Sequence, residues 1–388
     1  MTTRLTCDVV VVGAGMVGAA CALYAARAGH SVALVDRGPV AGGTTGAGEG
    51  NLLVSDKEPG PELELALLSS RLWSELAAEP GVAEAVEFEA KGGVVVASSA
   101  EGLAALEKFA VQQRDAGVDA CDVTADELYG LEPELAPGMP GGVHYPQDAQ
   151  VMPTLAAAHL VRFARAAGAR LLTGAPVTEV LRSADGSVRG VRTGRGEIHA
   201  PAVVNAAGTW GGELAALAGV RLPVLPRRGF VLVTEPLPRL VRHKVYAADY
   251  VADVASDSAA LQTSPVVEGT AAGPLLIGAS RERVGFDRTF SLPVVRSLAA
   301  GAARLFPFLE SVRVMRSYLG FRPYMPDHLP AIGPDARVPG LFHACGHEGA
   351  GIGLATGTGH LIAAVLDGGR PDPTLAPFRP DRFPEEAS

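Results

Sequence analysis

Cysteine is scarce in this 388-residue chain, basic runs are missing, and every long apolar stretch is interrupted. The four cysteines, Cys7, Cys21, Cys121 and Cys345, lie far apart and form no C-x-x-C pair. That excludes a disulfide framework and an iron–sulfur centre of the chain's own, and it leads us to expect a reducing cytoplasm. The formal net charge is -9 and no Lys/Arg cluster offsets it locally, so neither nucleic acid nor an anionic membrane is the expected main partner. A small-molecule role is favoured. Residues 9–26 are apolar, but Asp8 precedes them, Gly13, Gly15 and Gly18 punctuate them, and no cleavage-like segment follows. This reads as neither a transmembrane segment nor a signal peptide. No internal repeat or long low-complexity tract is present.

What is there begins with Asp8-Val-Val-Val-Val-Gly13-Ala-Gly15-Met-Val-Gly18, closed by Asp36 after a second apolar run. Val9 to Val12 reads as a buried parallel strand, Met16 to Ala28 as a helix ended by Gly29, and Ser31 to Val35 as the next strand. Gly13 permits a tight turn, Gly15 lets backbone reach a pyrophosphate, and Gly18 lets helix and strand pack closely. Ala14, Met16 and Val17 fill the same turn, where free helix N–H groups face an anion. Asp36, roughly 20 residues on, is placed to accept hydrogen bonds from an adenosine ribose.

A second glycine-rich run, Gly42-Gly-Thr-Thr-Gly-Ala-Gly-Glu-Gly50-Asn51-Leu52, is too glycine-rich for a helix and too long for a simple turn. Backbone must approach a flat or phosphorylated group there. Helical spacing follows at Glu62 to Leu76 and at Gly102 to Ala116, with a strand at Gly93 to Ala97 between them. The α/β pattern returns with helix Pro153 to Ala167 and strands Arg170 to Thr173, Val177 to Arg182, Val188 to Thr193 and Ala202 to Asn205. The last of these runs into Ala206-Ala-Gly208-Thr-Trp210, a second place where backbone meets a cofactor. Residues 224–316 read as β-rich, with strands Phe230 to Thr234 and Leu275 to Ile277 and helix Leu298 to Leu305. The C-terminal unit opens at Gly320-Phe-Arg322-Pro. It ends with strand Leu341 to Cys345, loop Gly346-His-Glu-Gly-Ala-Gly-Ile-Gly353 and helix Ala355 to Leu366. His343, Cys345 and His347 alternate as metal ligands on one strand face would, but no fourth ligand is evident and no metal is expected; Cys345 reads as a packed core thiol.

Taken together, these motifs resemble the FAD-dependent oxidoreductases of the D-amino-acid-oxidase type, the family of glycine oxidase, sarcosine oxidase and D-amino-acid dehydrogenases. Within it, the Gly50-Asn-Leu and Gly346 to Gly353 motifs are most similar to the flavin subunits of opine and D-hydroxyproline dehydrogenases and of hydrogen cyanide synthase. The resemblance implies an α/β fold: a Rossmann-like, glutathione-reductase-type FAD-binding domain with an inserted α+β substrate domain carrying a mixed antiparallel sheet. The expected division is 1–60, 146–223 and 319–378 for FAD, 61–145 and 224–318 for substrate, and a flexible tail at 379–388.

It further implies non-covalent FAD, with Asp36 and Arg37 flanking the ribose, Val177 at adenine, Ala206, Ala207 and Gly208 at the pyrophosphate, and Trp210 among the cofactor contacts. Thr44, Thr45 and Ala47, Gly48, Glu49, Gly50, Asn51 and Leu52 would line the flavin ring. So would Gly346, His347, Glu348, Gly349, Gly351, Ile352 and Gly353. Arg322, in the Gly-x-Arg-Pro position, would bind a substrate carboxylate, with Arg281, Tyr250, Gln262 and His347 as further candidates. The second carboxylate-binding arginine of glycine oxidase falls at about Gly349 here.

The expected reaction is oxidation of the C–N bond of a small amino or imino acid by hydride transfer to flavin N5, with no obligatory side-chain base. The helix beginning near Thr356 would stabilise charge on the reduced flavin. Ferredoxin-like and second flavoprotein subunits are expected as possible partners. Two alternatives stand beside this reading: an NAD-dependent dehydrogenase, favoured by Asp36 alone, and a non-catalytic flavin-binding subunit.

Overall fold

A computed structural model describes residues 5–248, 258–368 and 373–383. Two large sheets organise them. The first has six strands in the order Ala331–Pro334, Leu341–Cys345, Ala202–Asn205, Val9–Val12, Val32–Val35 and Arg170–Leu172. Neighbours are parallel except at Ala331–Pro334, which runs antiparallel to Leu341–Cys345. Val9–Val12 and Val32–Val35 are buried along their whole length, as strands covered on both faces must be.

Helix Met16–Arg27 ends with Ala28 as its C-cap, and Gly29 follows at φ 97, the left-handed turn that favours glycine. It packs against helices Pro153–Ala166 and Ala355–Leu366. The approach to the latter is close enough that a methyl group on Gly359 would come within 2.8 Å of the Ala20 backbone. Hence this helix is alanine-rich and buried on nearly every side. Helix Pro61–Ala77 packs on Ala355–Leu366 as well, which joins residues 61–77 to the layer around the six-stranded sheet.

The second sheet has eight strands in the order Val314–Tyr324, Leu225–Pro236, Pro274–Arg281, Gln262–Gly269, Lys244–Ala247, Gly93–Ala97, Gly141–Tyr145 and Cys121–Thr124. All pairs are antiparallel except Lys244–Ala247 with Gly93–Ala97. Helix Leu292–Leu305 covers it through Val294, Leu298, Ala302 and Leu305. Four further strands, Leu5–Thr6, Gly196–His199, Val188–Thr193 and Val177–Arg182, make a small separate sheet. The six-stranded sheet is mostly parallel and the eight-stranded one mostly antiparallel, as the expected mixed α/β fold requires.

The structure differs from the expected division in three places, the first being helix Pro61–Ala77, which packs on Ala355–Leu366. Gly320, Phe321 and Arg322 lie within Val314–Tyr324 and so in the eight-stranded sheet, not at the start of the FAD-binding unit. The reason is register: this strand pairs along Leu225–Pro236. The tail is also docked as far as the structure describes it, because Arg382 donates to Asp327 Oδ2 (2.6 Å) and the Leu329 carbonyl (2.6 Å), and Pro380 is buried. Among the described residues no helix is long and apolar enough to cross a membrane.

Candidate active site

A cavity of about 630 Å³ is lined by residues of both large sheets. At its amino-terminal wall stand Gly13, Gly15, Met16 and Val17. Gly13 has φ 113, and a side chain there would collide with the Ala206 carbonyl; one on Gly18 would collide with the Gly13 carbonyl. Strand, turn and helix therefore close on one another only with glycine at both positions. Ala14 is buried behind the wall, and its N–H donates to Asp36 Oδ2 (2.7 Å) while Gly38 N–H donates to Asp36 Oδ1 (2.6 Å). The Asp36 carboxylate thus braces the glycine turn and still borders the cavity.

The second glycine run contributes Gly42, Gly43, Thr44, Thr45, Ala47, Gly48, Glu49 and Asn51 to the wall. Thr45 Oγ1 accepts from Met16 N–H (3.0 Å), tying this run to the helix start, and Thr44 Oγ1 donates to the Phe321 carbonyl (2.7 Å), tying it to the eight-stranded sheet. Gly50 and Leu52 face away: a side chain on Gly50 would collide with the Val151 carbonyl, and Leu52 is buried in the core.

Val177 borders the cavity beside Ala175, Pro176 and Thr178, and Ala206, Ala207, Gly208 and Trp210 form the next stretch of wall. The Arg37 guanidinium lies 4.2 Å from the Trp210 ring centroid, a cation–π contact at the rim. Glycine-bordered turns, helix-start amides and two threonines suit an elongated, phosphorylated ligand.

The carboxyl-terminal loop supplies His347, Glu348, Gly349, Gly351 and Ile352. Gly346 and Gly353 lie behind them, Gly346 at φ 83 against Met325. His347 falls beyond the strand, which ends at Cys345, so the alternating triplet does not share a strand face. Its Nε2 sits 2.9 Å from Thr358 Oγ1, and burial pushes its imidazole down to about 3, which keeps it neutral. His343 instead pairs with Asn205 (3.0 Å) and Asp335 (3.1 Å). Among the described residues no group of three or more His, Cys, Asp or Glu is arranged to hold a metal. Cys345 is fully buried, and burial pushes its thiol up to about 12, as for an inert core thiol.

The helix start near Thr356 is not in the cavity wall. Thr356 Oγ1 donates to the Ser69 carbonyl (2.9 Å) and Ser69 Oγ accepts from Gly357 N–H (3.1 Å). The preceding turn, through Gly351 and Ile352, faces the cavity in its place.

Arg322 is in the wall, with Nη1 donating to the Ser280 carbonyl (2.8 Å) over Gly229, where any side chain would collide with the guanidinium. Arg281 and Gln262 are paired across neighbouring strands but stand outside the wall. Gln262 Oε1 accepts from Arg227 Nη2 (2.8 Å). Tyr250 lies outside the described residues.

Sequence reasoning missed Arg227, fully buried and ion-paired with Glu348, which His328 also holds (3.0 Å). Glu348 has φ 46, a left-handed conformation that aims it at both partners. Also missed was Lys244, buried between Glu268 Oε2 (2.9 Å) and the Asn51 side-chain carbonyl. The one local signal was Gly229 inside a strand, the mark of a close approach.

The family model described as FAD dependent oxidoreductase matches residues 8–365. The chain is 32% identical to hydrogen cyanide synthase subunit HcnC of Pseudomonas aeruginosa, over 99% of this chain and 98% of that protein. It is also 32% identical to glycine oxidase of Geobacillus kaustophilus, over 96% of each. The crystal structure of glycine oxidase from Geobacillus kaustophilus superposes with a TM-score of 0.87 at 30% identity, covering 98% of this chain and 100% of that one. With these likenesses spanning nearly its whole length, the chain belongs to the FAD-dependent oxidoreductase family of the D-amino-acid-oxidase type.

Proposed function

We propose that this protein oxidises the C–N bond of a small amino or imino acid, of the D-amino acid, glycine, N-substituted glycine or D-proline class, to an imine. The observation that carries this reading is that Arg322 stands in the wall of the same cavity as the dinucleotide fingerprint. Gly13, Gly15, Met16 and Asp36 would hold the nucleotide half of FAD, with Val177 at the adenine. Thr44, Thr45, Ala47, Gly48, Glu49, Asn51 and the Gly349 to Ile352 turn would border the ring. Bound FAD supplies a hydride acceptor. The chain's own residues orient the substrate carboxylate at Arg322, exclude water and keep His347 uncharged beside the ring.

Membership of an FAD-dependent family replaces the nicotinamide alternative. One relative is itself named as a subunit, which supports electron delivery to ferredoxin-like or second flavoprotein subunits here. The four free cysteines agree with a reducing cytoplasm. The test is anaerobic mixing of the FAD-loaded protein with D- and L-amino acids, N-methylglycine and cyclic imino acids. Bleaching of the flavin by at least one supports the reading; bleaching by dithionite but by none of them favours a non-catalytic subunit.

A further inference from the structure

Glu49 borders the cavity and is only 7% exposed, yet among the described residues its Oε1 has no hydrogen-bond partner. A buried carboxylate without a donor is costly, and the fold nonetheless makes room for it. A side chain on Gly278 would collide with the Glu49 carboxylate, so strand Pro274–Arg281 is indented where Glu49 lies. The groups that face it come from four strands of the eight-stranded sheet: Lys244, Glu268, Arg281, and Arg322 with Tyr318. The Lys244 ammonium is engaged by Glu268 and Asn51, and Arg322 Nη1 by the Ser280 carbonyl. Burial raises the Glu49 carboxyl above its ordinary range, with Lys244 and the two arginines opposing and Glu268 adding to the rise.

We propose that Glu49 binds the ammonium of the substrate and takes a proton from it, so that Arg322 and Glu49 together select zwitterionic amino or imino acids over plain carboxylates. This rests on the amino-acid reading above. An amine must be neutral before its α-carbon can give up hydride, because the nitrogen lone pair stabilises the developing cation. In the proposed step one N–H bond of the ammonium breaks and an O–H bond forms on the Glu49 carboxylate. The bonding pair stays on nitrogen, and nothing is oxidised or reduced. A carboxyl group raised above its ordinary range holds a proton more readily than a free carboxylate, which suits it to this exchange.

The experiment compares FAD-loaded wild type with Glu49→Gln, using two probes that cannot be oxidised at an α-C–H beside nitrogen, 2-aminoisobutyrate and its deamino counterpart isobutyrate. Binding is read from perturbation of the flavin spectrum, and FAD content is measured for each protein. Loss of one charged hydrogen bond predicts that Glu49→Gln weakens 2-aminoisobutyrate by about tenfold or more and leaves isobutyrate within about twofold. For any amino acid that reduces the flavin, the acid limb of the reduction rate against pH should move alkaline by about one unit or more in Glu49→Gln, and Glu49→Asp should restore part of it. Equal weakening of both probes would make Glu49 a mere counterion to Arg322, and an unmoved pH limb would remove it from proton transfer; either overturns the proposal. If Glu49→Gln fails to retain FAD, Glu49→Asp is held to the same probe comparison and must keep the preference for 2-aminoisobutyrate. Failure of every amino acid to reduce the wild-type flavin would instead sink the amino-acid reading, while the probe ratio still reports on Glu49.

Discussion

Arg227 and Arg322 stand directly opposite each other on adjacent antiparallel strands, yet they have separate partners. Arg322 Nη1 donates to the Ser280 carbonyl at 2.8 Å, whereas Arg227 donates to Gln262 Oε1 at 2.8 Å and pairs with Glu348. Like charges opposed across a strand pair repel. Glu348 offsets that repulsion, which leaves Arg322 at the cavity wall and Arg227 behind it.

Removing that carboxylate should therefore destabilise the protein. Glu348→Ala removes the carboxylate ion-paired with the fully buried Arg227, at a cost of about 3–5 kcal/mol. Denaturant unfolding of the FAD-loaded variant measures this, and a change under about 1 kcal/mol would mean that Arg227 is satisfied without Glu348.

Arg322→Ala should raise KM for a carboxylate substrate by about tenfold or more, the value of a charged hydrogen bond. Arg322→Lys should not restore it, because an ammonium cannot reproduce the planar fork. Steady-state kinetics on whichever substrate bleaches the flavin decides this; an unchanged KM removes Arg322 from substrate binding.

Gly13→Ala should cost the protein its cofactor. The position has φ 113 and the added methyl meets the Ala206 carbonyl, so the turn must shift away from the helix start. Flavin absorbance per protein after purification should fall by about tenfold, as expected for a lost few kcal/mol of binding. Retention equal to wild type would contradict the role given to this turn.

His347 gives a signed pH effect. Its folded value of about 3 lies below the ordinary 6.5, so between those values the unfolded chain binds more protons at this residue than the folded chain does. Its contribution to stability is full above about pH 6.5 and is lost as pH falls toward about 3. His347→Gln should flatten that part of the acid-side decline in unfolding midpoint, and an identical decline in both proteins would show that His347 titrates normally.

The parts of the site readable from sequence are those in which one short segment does the work. The Val9–Val12 strand, its glycine turn and helix Met16–Arg27 form a contiguous unit whose φ angles and close contacts demand glycine at fixed spacing. The runs around Gly43 and Gly349 were legible as contiguous glycine-rich stretches, and both border the cavity. Arg227, Lys244 and Glu268 were not, because what makes them matter is register between strands far apart in the chain, and no local periodicity encodes it. Thr356 misled because a helix start suggests an anion site, whereas Ser69, nearly 300 residues earlier, already satisfies the amide of Gly357.

The most direct test of the account is the identity of the molecule released when the purified protein is denatured by heat. Glycine-bordered walls from three distant parts of the chain predict FAD, set free intact and in a ratio near one per chain. Release of a nicotinamide dinucleotide, or a folded protein that is colourless and stays so after incubation with FAD, would contradict it.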